Sequence, residues 1–246
     1  MKILVCISYV PDTTTKINFK PDNKTLDING VQFIINPNDE IALSKALELT
    51  ADGTNGTLTV INVGLQATEA VIRKALATGA TDAVRINAEP ADAFFTATQI
   101  ASYASQHQFD LIFAGSESID FNGAQTGGMI AEILGIPSVE FAKSLIISNN
   151  ICTIEKEIEG GKETMSASMP LLICACEGMA EARIPNMRGI MSARSKPLLV
   201  IEPIDASPLT EVVFFEKPKP RGQVQLIDPA QVEKLLDLLH SEAKVI

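Results

Sequence analysis

The sequence predicts an α/β fold built on a doubly wound, mostly parallel sheet, and three patterns support this prediction. Up to Pro137, short apolar runs typical of buried strands alternate with longer segments that carry helix signals, as parallel strands joined by helical crossovers require. Two-residue turn signals then appear at Asn149-Asn150 and Gly160-Gly161, and they indicate antiparallel strands added to the sheet. From Ile204 the alternation is lost, which predicts an arm outside the sheet.

The first half of the chain supplies four strand–helix pairs. The apolar run 2–10 predicts the first strand, and Asn36-Pro37-Asn38-Asp39-Glu40 predicts the start of a helix that runs to about Leu49. Asparagine can cap a helix, proline suits its first position, and acidic residues favour the positive end of the helix dipole. Hairpin signals lie between them, at residues 21–23 and 29–30. The other predicted pairs are strands at 58–63, 83–86 and 111–114 with helices at 67–77, 91–106 and 126–134.

The second half predicts strands followed by a separate C-terminal arm. Predicted strands lie at 144–148, 151–158, 163–168, 169–176 and 198–201. Asp228-Pro229-Ala230-Gln231 then resembles a capping box with proline at the first helical position, and four leucines between 235 and 239 give the final helix an apolar stripe. We therefore divide the chain into a nucleotide-binding domain, 1–203, and an arm, 204–246. The stripe could pack on its own domain or on a partner subunit, and both interpretations are open here.

Composition excludes several classes of function. A formal net charge of −10 argues against general binding to nucleic acid or to anionic membranes, because both need a basic face. No apolar run approaches the roughly 20 residues of a membrane span, and the short apolar N-terminus predicts a strand rather than a signal peptide. With only two histidines, we expect no metal site. We expect a cytoplasmic protein with four reduced cysteines: Cys6, Cys152, Cys174 and Cys176.

The most informative segment is the strand-to-helix turn from Ala114 to Met129. It is filled with small and hydroxyl residues, and a turn of this kind leaves backbone amides without helical partners at the positive end of a helix dipole. A phosphate can bind there without any lysine. In a doubly wound sheet, this turn should meet the strand ends near Cys6 and Val63 and the helix start at Asn36. The sequence therefore predicts a nucleotide-binding crevice.

Simpler interpretations of the same residues are also open. Asn36 could be only a helix cap, Asp120 only an Asx-turn residue, and Thr126 only the cap of the next helix. The glycines at 123, 127 and 128 could serve only to ease the turn. The sequence contains no G-x-G-x-x-G, no P-loop motif and no G-x-S-x-G elbow. Without a nucleophile beside a base, a carrier or binding subunit fits better than a hydrolase, and we expect no catalytic residues.

A second segment, residues 183–196, concentrates positive charge and methionine in an acidic chain. It carries Arg183, Arg188, Arg194 and Lys196 together with Met187 and Met191. One interpretation is a solvated loop with a short helix. The other is a docking segment, since methionine adapts to an apolar pocket and arginine suits carboxylate, phosphate or cofactor contacts.

Four blocks of sequence carry a resemblance to a known family. They are the strand ending in V-P-D-T (1–13), Ile35-Asn36-Pro37-Asn38-Asp39-Glu40-Ile41-Ala42, the turn 115–129, and the charged hairpin 154–164 that leads to Met169-Pro170. Over nearly the whole chain, the sequence resembles the beta subunits of electron-transfer flavoproteins. The hairpin is the most specific block, because a charged hairpin with two glycines has no general reason to recur. Residues 183–196 also resemble the partner-recognition segment of the family.

The resemblance implies a fold like that of the adenine-nucleotide alpha hydrolases and a heterodimer with an alpha subunit that carries the redox FAD. It implies a structural AMP in this chain, with Arg183 near the FAD and Met187 as the anchor for acyl-CoA dehydrogenases. The implied cofactor-binding residues are Cys6, Asn36, Val63, Ser118, Asp120, Asn122, Gly123, Ala124, Gln125, Thr126, Gly127, Gly128, Met129 and Arg183. The implied partner-docking residues are Met187, Arg188, Ile190 and Met191. The arm would embrace the alpha subunit.

The resemblance also implies a role in fatty acid oxidation. The heterodimer would accept electrons from dehydrogenases and pass them to a quinone-linked or other acceptor, without bond chemistry. One alternative is an electron-bifurcating pair that holds a second FAD in place of AMP, although the ending Thr126–Met129 is closer to the AMP-binding kind. Another is a stand-alone nucleotide-binding protein of the universal stress type. The sequence departs from the family pattern at Ser8-Tyr9, at Ile184-Pro185, and at Ser192 and Ser195, which stand in place of frequent lysines.

Overall fold

The computed structural model describes residues 1–51, 56–220, 222 and 224–246, and it confirms the predicted α/β class. In chain order, the strands and helices are β1 (Lys2–Cys6), β2 (Tyr9–Pro11), β3 (Phe33–Ile35), α1 (Pro37–Ala51), β4 (Thr57–Val63), α2 (Glu69–Thr78), β5 (Asp82–Ile86), α3 (Ala93–Ser105), β6 (Leu111–Gly115), α4 (Thr126–Leu134), β7 (Ser138–Ser148), β8 (Ile151–Ile158), β9 (Gly161–Ser168), β10 (Leu171–Ala175), α5 (Met187–Ala193), β11 (Leu198–Ile201) and α6 (Val232–Leu238).

Nine of these strands form one sheet in the order β11-β5-β4-β1-β6-β10-β7-β8-β9. The strands from β11 to β7 pair in parallel. The chain moves outward from β1 through β4 to β5 and then returns to place β6 on the other side of β1. The strand order therefore reverses between β1 and β6, and this reversal marks the ligand-binding crevice in folds of this kind.

Helices cover both faces of the sheet, as predicted. Alternate residues of β1 point to opposite faces, so Ile3 and Val5 pack with α1 and α2 while Leu4 and Cys6 pack with α3 and α4. The apolar runs of the central strands are buried on both sides, which explains why they lack the polar alternation of a half-exposed strand.

The antiparallel addition is also confirmed: β8 has the predicted bounds, while β7 and β9 begin earlier than predicted. β7 starts at Ser138 rather than at 144, because its first residues pair in parallel with β10 before the rest of the strand pairs with β8. β8 and β9 then continue the sheet as an antiparallel hairpin through the Gly160-Gly161 turn. β10 is shorter than the predicted segment 169–176.

The predicted first strand, 2–10, is in fact divided into two. β1 ends at Cys6, and β2 leaves the main sheet to pair with β3 in a separate antiparallel pair. The break occurs where Ser8 N donates to the carboxylate of Asp39 instead of continuing the sheet. The hairpin signal at 21–23 is confirmed by the antiparallel bridge between Phe19 and Leu26.

The helix predictions hold, with shifted ends. The helix predicted at 67–77 begins as a 3-10 turn, Gln66–Thr68, before α2. The helix predicted from 91 starts at Ala93, because Asp92 caps it by accepting from Phe95 N at 2.6 Å. Of the helices in the described residues, none combines the length and the apolar character that a membrane crossing requires.

The C-terminal arm follows β11, the last strand of the sheet. Asp228 accepts a hydrogen bond from Ala230 N at 2.9 Å, and Pro229–Gln231 form a 3-10 turn before α6. No residue of α6 or of the π-helical turn Leu239–Ala243 is buried. In the apolar stripe, Leu235 and Leu236 are exposed and Leu238 and Leu239 are half-buried, so the stripe is not buried on its own domain in this structure.

The first turn of α4 generates a prediction about packing. A Cβ atom added at Gly127 would lie 2.2 Å from Cys174 Sγ of β10, whereas one added at Gly128 would meet only Glu140 Oε1, at 3.5 Å. We expect Gly127→Ala to lower the unfolding free energy by about 1–3 kcal/mol through overpacking. Gly128→Ala is the matched control, and we expect it to be neutral or to stabilise the helix by up to about 1 kcal/mol.

Urea unfolding of the two variants measures this difference. In the double variant Gly127→Ala/Cys174→Ala, the clash is removed. Its loss of unfolding free energy should therefore be smaller than the sum of the losses in Gly127→Ala and Cys174→Ala. Equal losses for Gly127→Ala and Gly128→Ala would contradict the packing argument.

Candidate functional site

The candidate site is the crevice at the carboxyl ends of β1, β4 and β6. All the segments that the sequence predicted to converge do meet there. Ile7 N, just beyond β1, bonds to Ile61 O of β4, and Asn36 at the start of α1 bonds to the loop that follows β6. The crevice therefore lies at the point where the strand order reverses.

A buried carboxylate joins the two central strands across this crevice. Asp39 Oδ2 accepts from Ser8 N at 2.7 Å, and Asp39 Oδ1 accepts from Gly115 N at 2.8 Å. Asp39 lies in the first turn of α1 and is 4% exposed. Burial raises the pKa of its carboxyl to about 6, although hydrogen bonds from Asn36, Ser8 and Gly115 act in the opposite direction. The sequence analysis assigned Asp39 only to the helix dipole and missed this connection.

Glycine at position 115 is required by the same contact. A Cβ atom there would lie 2.4 Å from Asp39 Oδ1 and 2.8 Å from Asn38 Cβ. The last residue of β6 must therefore lack a side chain for the carboxylate to reach its amide.

Two asparagines fix the loop that follows β6. Asn36 donates from Nδ2 to Glu117 O at 2.9 Å and accepts from Ile119 N at 3.2 Å. Asn38 Nδ2 donates to the same carbonyl at 3.1 Å. Asn36 is fully buried, and its side chain bonds to the loop, so the interpretation of Asn36 as only a helix cap is wrong.

Two backbone features of the loop and of the start of α4 suit an anion. Asn122 and Ala124 have left-handed backbones, with φ of 49° and 47°, and alternating handedness can form a concavity lined by amides. Because α4 begins at Thr126, the amides of residues 126–128 have no partner within the helix. Gln125 rather than Thr126 occupies the capping position, so the Thr126-cap interpretation is wrong.

Ser118 and Asp120 bond to each other within this loop. Ser118 Oγ donates to Asp120 Oδ1 at 2.5 Å, and Phe121 N donates to the same oxygen at 2.9 Å. The side chain of Asp120 thus bonds locally, but the amide two residues on, Asn122 N, donates to Ser118 O instead, so Asp120 does not form the Asx-turn that the simpler interpretation expected. Among the loop residues, Asn122, Gly123 and Gln125 are exposed at the crevice, Ala124 and Thr126 are half-buried, and Gly127 is buried.

Cys6 and Val63 lie where predicted, at the ends of β1 and β4, and both are buried. Burial, reinforced by the negative charge of Asp39, raises the pKa of the Cys6 thiol far above its ordinary value. A thiol held in its neutral form is a poor nucleophile. Cys6 therefore contributes shape and backbone to the crevice.

The sequence analysis missed three polar residues beside the crevice. Asn62 Nδ2 donates to Ile7 O at 2.9 Å, and the buried Arg85 donates from Nη1 to Gly64 O at 3.0 Å. Within the described part of the chain, Asn62 Oδ1 and Glu140 Oε1 are buried and have no hydrogen-bond partner. These two acceptors are available to donors of a ligand or of water. The only signal for them in the sequence is a polar residue inside an apolar run.

Arg183 and the docking residues lie apart from the crevice. Arg183 N donates to Ser44 Oγ of α1 at 2.9 Å, and its side chain is exposed. Met187 and Met191 are 74% and 70% exposed, and Ile184 is 90% exposed. The predicted docking residues are therefore exposed to solvent, and Ile184, which the sequence prediction missed, has a larger exposed fraction than either methionine. In the described residues, no group of three or more acidic, cysteine or histidine side chains could hold a metal ion.

Comparisons with known proteins place these features in context. Residues 24–206 match the family described as the electron transfer flavoprotein domain. The chain is 34% identical to the electron transfer flavoprotein subunit beta of Bacillus subtilis over 260 residues, which cover all of both chains. It is 29% identical over 251 residues to the mitochondrial electron transfer flavoprotein subunit beta of Arabidopsis thaliana, again covering all of both chains.

A further relative has a different name. The chain is 36% identical over 223 residues to the acryloyl-CoA reductase electron transfer subunit gamma of Anaerotignum propionicum, and the match covers 86% of this chain and 82% of the relative.

The buried carboxylate predicts an unusual titration. We expect the Asp39 carboxyl to protonate with a midpoint near pH 6 in the folded protein, and ¹³C NMR of labelled aspartates should show one such resonance. Asp39→Asn should lack it. An Asp39 carboxyl that titrates near pH 4 would contradict the burial argument.

The same shift predicts a change in stability with pH. The folded state retains the Asp39 proton up to about pH 6, while the unfolded state releases it near pH 4, so stability falls as pH rises between these values. The unfolding free energy of the wild type, taken relative to Asp39→Asn, should therefore decrease by about 2–3 kcal/mol from pH 4 to pH 7. Urea unfolding at each pH measures the difference.

Proposed function

This chain belongs to the electron transfer flavoprotein family, and from that premise we propose that it is the beta subunit of a heterodimeric electron carrier that holds AMP in the crevice. The alpha subunit would hold the redox FAD. The relatives named electron transfer flavoprotein subunit beta match along the full chain, which supports the role of a carrier subunit rather than a catalytic enzyme.

The observation that carries the AMP proposal is the difference between the two helix starts at the crevice. Asp39 already supplies negative charge at the start of α1, so a second anion is disfavoured there. At the start of α4, the amides have no partner within the helix and, among the described residues, no side-chain cap, and the loop before them has left-handed residues. A nucleotide phosphate would therefore bind to the backbone of Gly123–Gly128, as helix N-termini bind anions.

The base would lie on the other side of the crevice. The backbones of Cys6 and Val63 end their strands there, and Asn62 Oδ1 is a buried acceptor without a partner in the described part of the chain. This oxygen suits the amine of adenine or a hydroxyl of ribose. AMP would supply no chemistry in this site and would instead fill and rigidify the crevice.

The alpha subunit would cover the arm. Residues 209–246 carry exposed apolar side chains, of which Leu226 is 91% exposed, and no residue of α6 is buried. Apolar surface of this extent marks a protein interface. We therefore propose that the arm, 204–246, packs on the alpha subunit, with Arg183 near the alpha-subunit FAD.

The docking segment would contact electron donors. Met187, Ile190 and Met191 form an exposed apolar tip beside Arg183 and Arg188, so the partner surface should be an apolar pocket with carboxylates at its rim. Dehydrogenases of the acyl-CoA type are the proposed donors, which would give the pair a role in fatty acid oxidation with a quinone-linked acceptor. The four cysteines are free, in agreement with a reducing, cytoplasmic location.

A second candidate is an electron-bifurcating pair that holds another FAD in the same crevice. The similarity to an electron transfer subunit of acryloyl-CoA reductase favours it. A stand-alone protein of the stress type conflicts with membership in a family of paired subunits.

The flavin and nucleotide content of the co-expressed pair distinguishes the two candidates. We expect one FAD and one AMP per heterodimer after denaturation and mass spectrometry, whereas two FAD and no AMP would indicate the bifurcating pair.

A substitution in the phosphate loop tests where AMP binds. Gly123 has no atom within 4 Å of an added Cβ, so Gly123→Asp should place a carboxylate at the phosphate loop without disturbing the fold. It should reduce bound AMP about tenfold or more by like-charge repulsion. Gly123→Ala is the control and should retain AMP.

Truncation of the docking tip tests the contact with electron donors. We expect Met187→Ala and Ile184→Ala each to raise the KM of an acyl-CoA dehydrogenase for the heterodimer by about five- to thirtyfold, as for a buried apolar anchor worth about 1–2 kcal/mol. FAD content should be unchanged. Ile146→Ala removes a side chain with 67% exposure on β7 and serves as the control. Unchanged kinetics in both docking variants would reject the docking role.

A further inference from the structure

The docking segment contains a helix too short to be stable alone. α5 has seven residues, and only Ala193 is buried. Isolated helices of this length do not form in water, because nucleation costs more than one or two turns return. The conformation of α5 must therefore be fixed by contacts outside it, and these contacts come from α2.

Arg73 of α2 binds the C-terminal end of the docking segment. Its Nη1 donates to Ala193 O at 2.8 Å and to Lys196 O at 2.9 Å. These carbonyls lie at and just beyond the end of α5, where backbone acceptors lack helical partners. A guanidinium suits this position because it keeps its charge and has a rigid set of donors.

Lys196 makes the reciprocal contact with α2. Its ammonium donates to Leu76 O, in the last turn of α2, at 2.9 Å and to Ala80 O, two residues beyond the helix, at 2.5 Å. The side chain is half-buried, and burial lowers the pKa of the ammonium. Each of the two segments thus provides a cation for the carbonyls of the other.

The other end of α5 is fixed as well. Asn186 Oδ1 accepts from Gly189 N at 2.8 Å and caps the helix. Gly189 lies so close to α2 that an added Cβ would be 2.2 Å from Ala77 O. α5 therefore packs on α2 backbone to backbone, and the side chains of Ile184, Met187 and Met191 remain exposed.

We propose that Arg73 and Lys196 are positioning residues that hold the docking segment rigid on α2, so that its apolar tip is ordered before an electron donor arrives. The identity of the donor rests on the proposed function, whereas the rigidity of the segment does not. Ordering a segment in advance removes an entropic cost from association. Neither residue need touch the donor for its loss to weaken docking.

Hydrogen exchange in the purified heterodimer tests the positioning directly. In Arg73→Met and in Lys196→Met, amide exchange across residues 187–195 should be at least about tenfold faster, because the carbonyl contacts that stabilise the closed segment are lost. Exchange in α4 should be unchanged. Lys74→Met is the matched control: Lys74 is the next residue of α2 but pairs with Glu40 of α1. Wild-type exchange rates in both positioning variants would overturn the proposal.

Kinetics with an acyl-CoA dehydrogenase test the consequence for docking. In Arg73→Met, the KM for the heterodimer should rise about tenfold, which corresponds to about 1.4 kcal/mol, while kcat and FAD content remain those of the wild type. Lys74→Met should leave the KM unchanged.

A double-mutant cycle separates positioning from a general loss of stability. If Arg73 acts through the apolar tip, Arg73→Met should raise the KM little further in a protein that already carries Met187→Ala. The two effects on the KM should therefore be strongly non-additive. Fully additive losses would overturn the positioning role. If the wild-type pair accepts no electrons from the dehydrogenase but the exchange differences are found, the proposed donor is wrong and the positioning stands.

Discussion

The carboxylate of Asp39 is the interaction on which the crevice depends. It bonds to Ser8 N, two residues beyond the end of β1, and to Gly115 N at the end of β6, and β1 and β6 are the two strands between which the sheet order reverses. At this point the fold would otherwise leave the amides of Ser8 and Gly115 unsatisfied. A single acidic side chain satisfies them from within the chain, and Asn36 and Asn38 extend the same arrangement to the loop after β6.

The cost and the consequence of this arrangement are both electrostatic. Burial of the carboxyl disfavours its ionised form, and the hydrogen bonds from Ser8 and Gly115 offset only part of this desolvation cost. Once ionised, the carboxylate supplies the negative charge that the dipole of α1 favours. The dipole of α4 receives no comparable side-chain cap at Gln125. The two helix starts at the crevice thus differ in one respect: an acidic side chain of α1 itself bonds beside the first, whereas no side chain caps the second.

Much of the fold could be predicted because periodicity and turn residues act locally. The parallel core, the antiparallel hairpin at Gly160-Gly161 and the helix start at Pro37 all follow from short stretches of sequence. The role of Asp39 could not be predicted, since it depends on amides that lie 31 and 76 positions away. The same long-range dependence hid the break after Cys6 and the contact of Arg73 with the segment after α5. An acidic residue in a first turn always looks like a dipole residue when only its neighbours are considered.

The distribution of polar contacts suits a protein that passes electrons between partners. Buried or half-buried polar side chains fix the crevice and the docking segment, while apolar side chains are left exposed at the docking tip and along the arm. Encounters between redox partners are usually small and transient, so affinity from a large apolar surface would slow the release of the donor. A rigid segment with a small apolar tip solves this problem, because it gains specificity from geometry and limits the area buried. In the arm, by contrast, exposed apolar residues extend over a long segment, which is the pattern that the proposed contact with the alpha subunit would need if it is permanent.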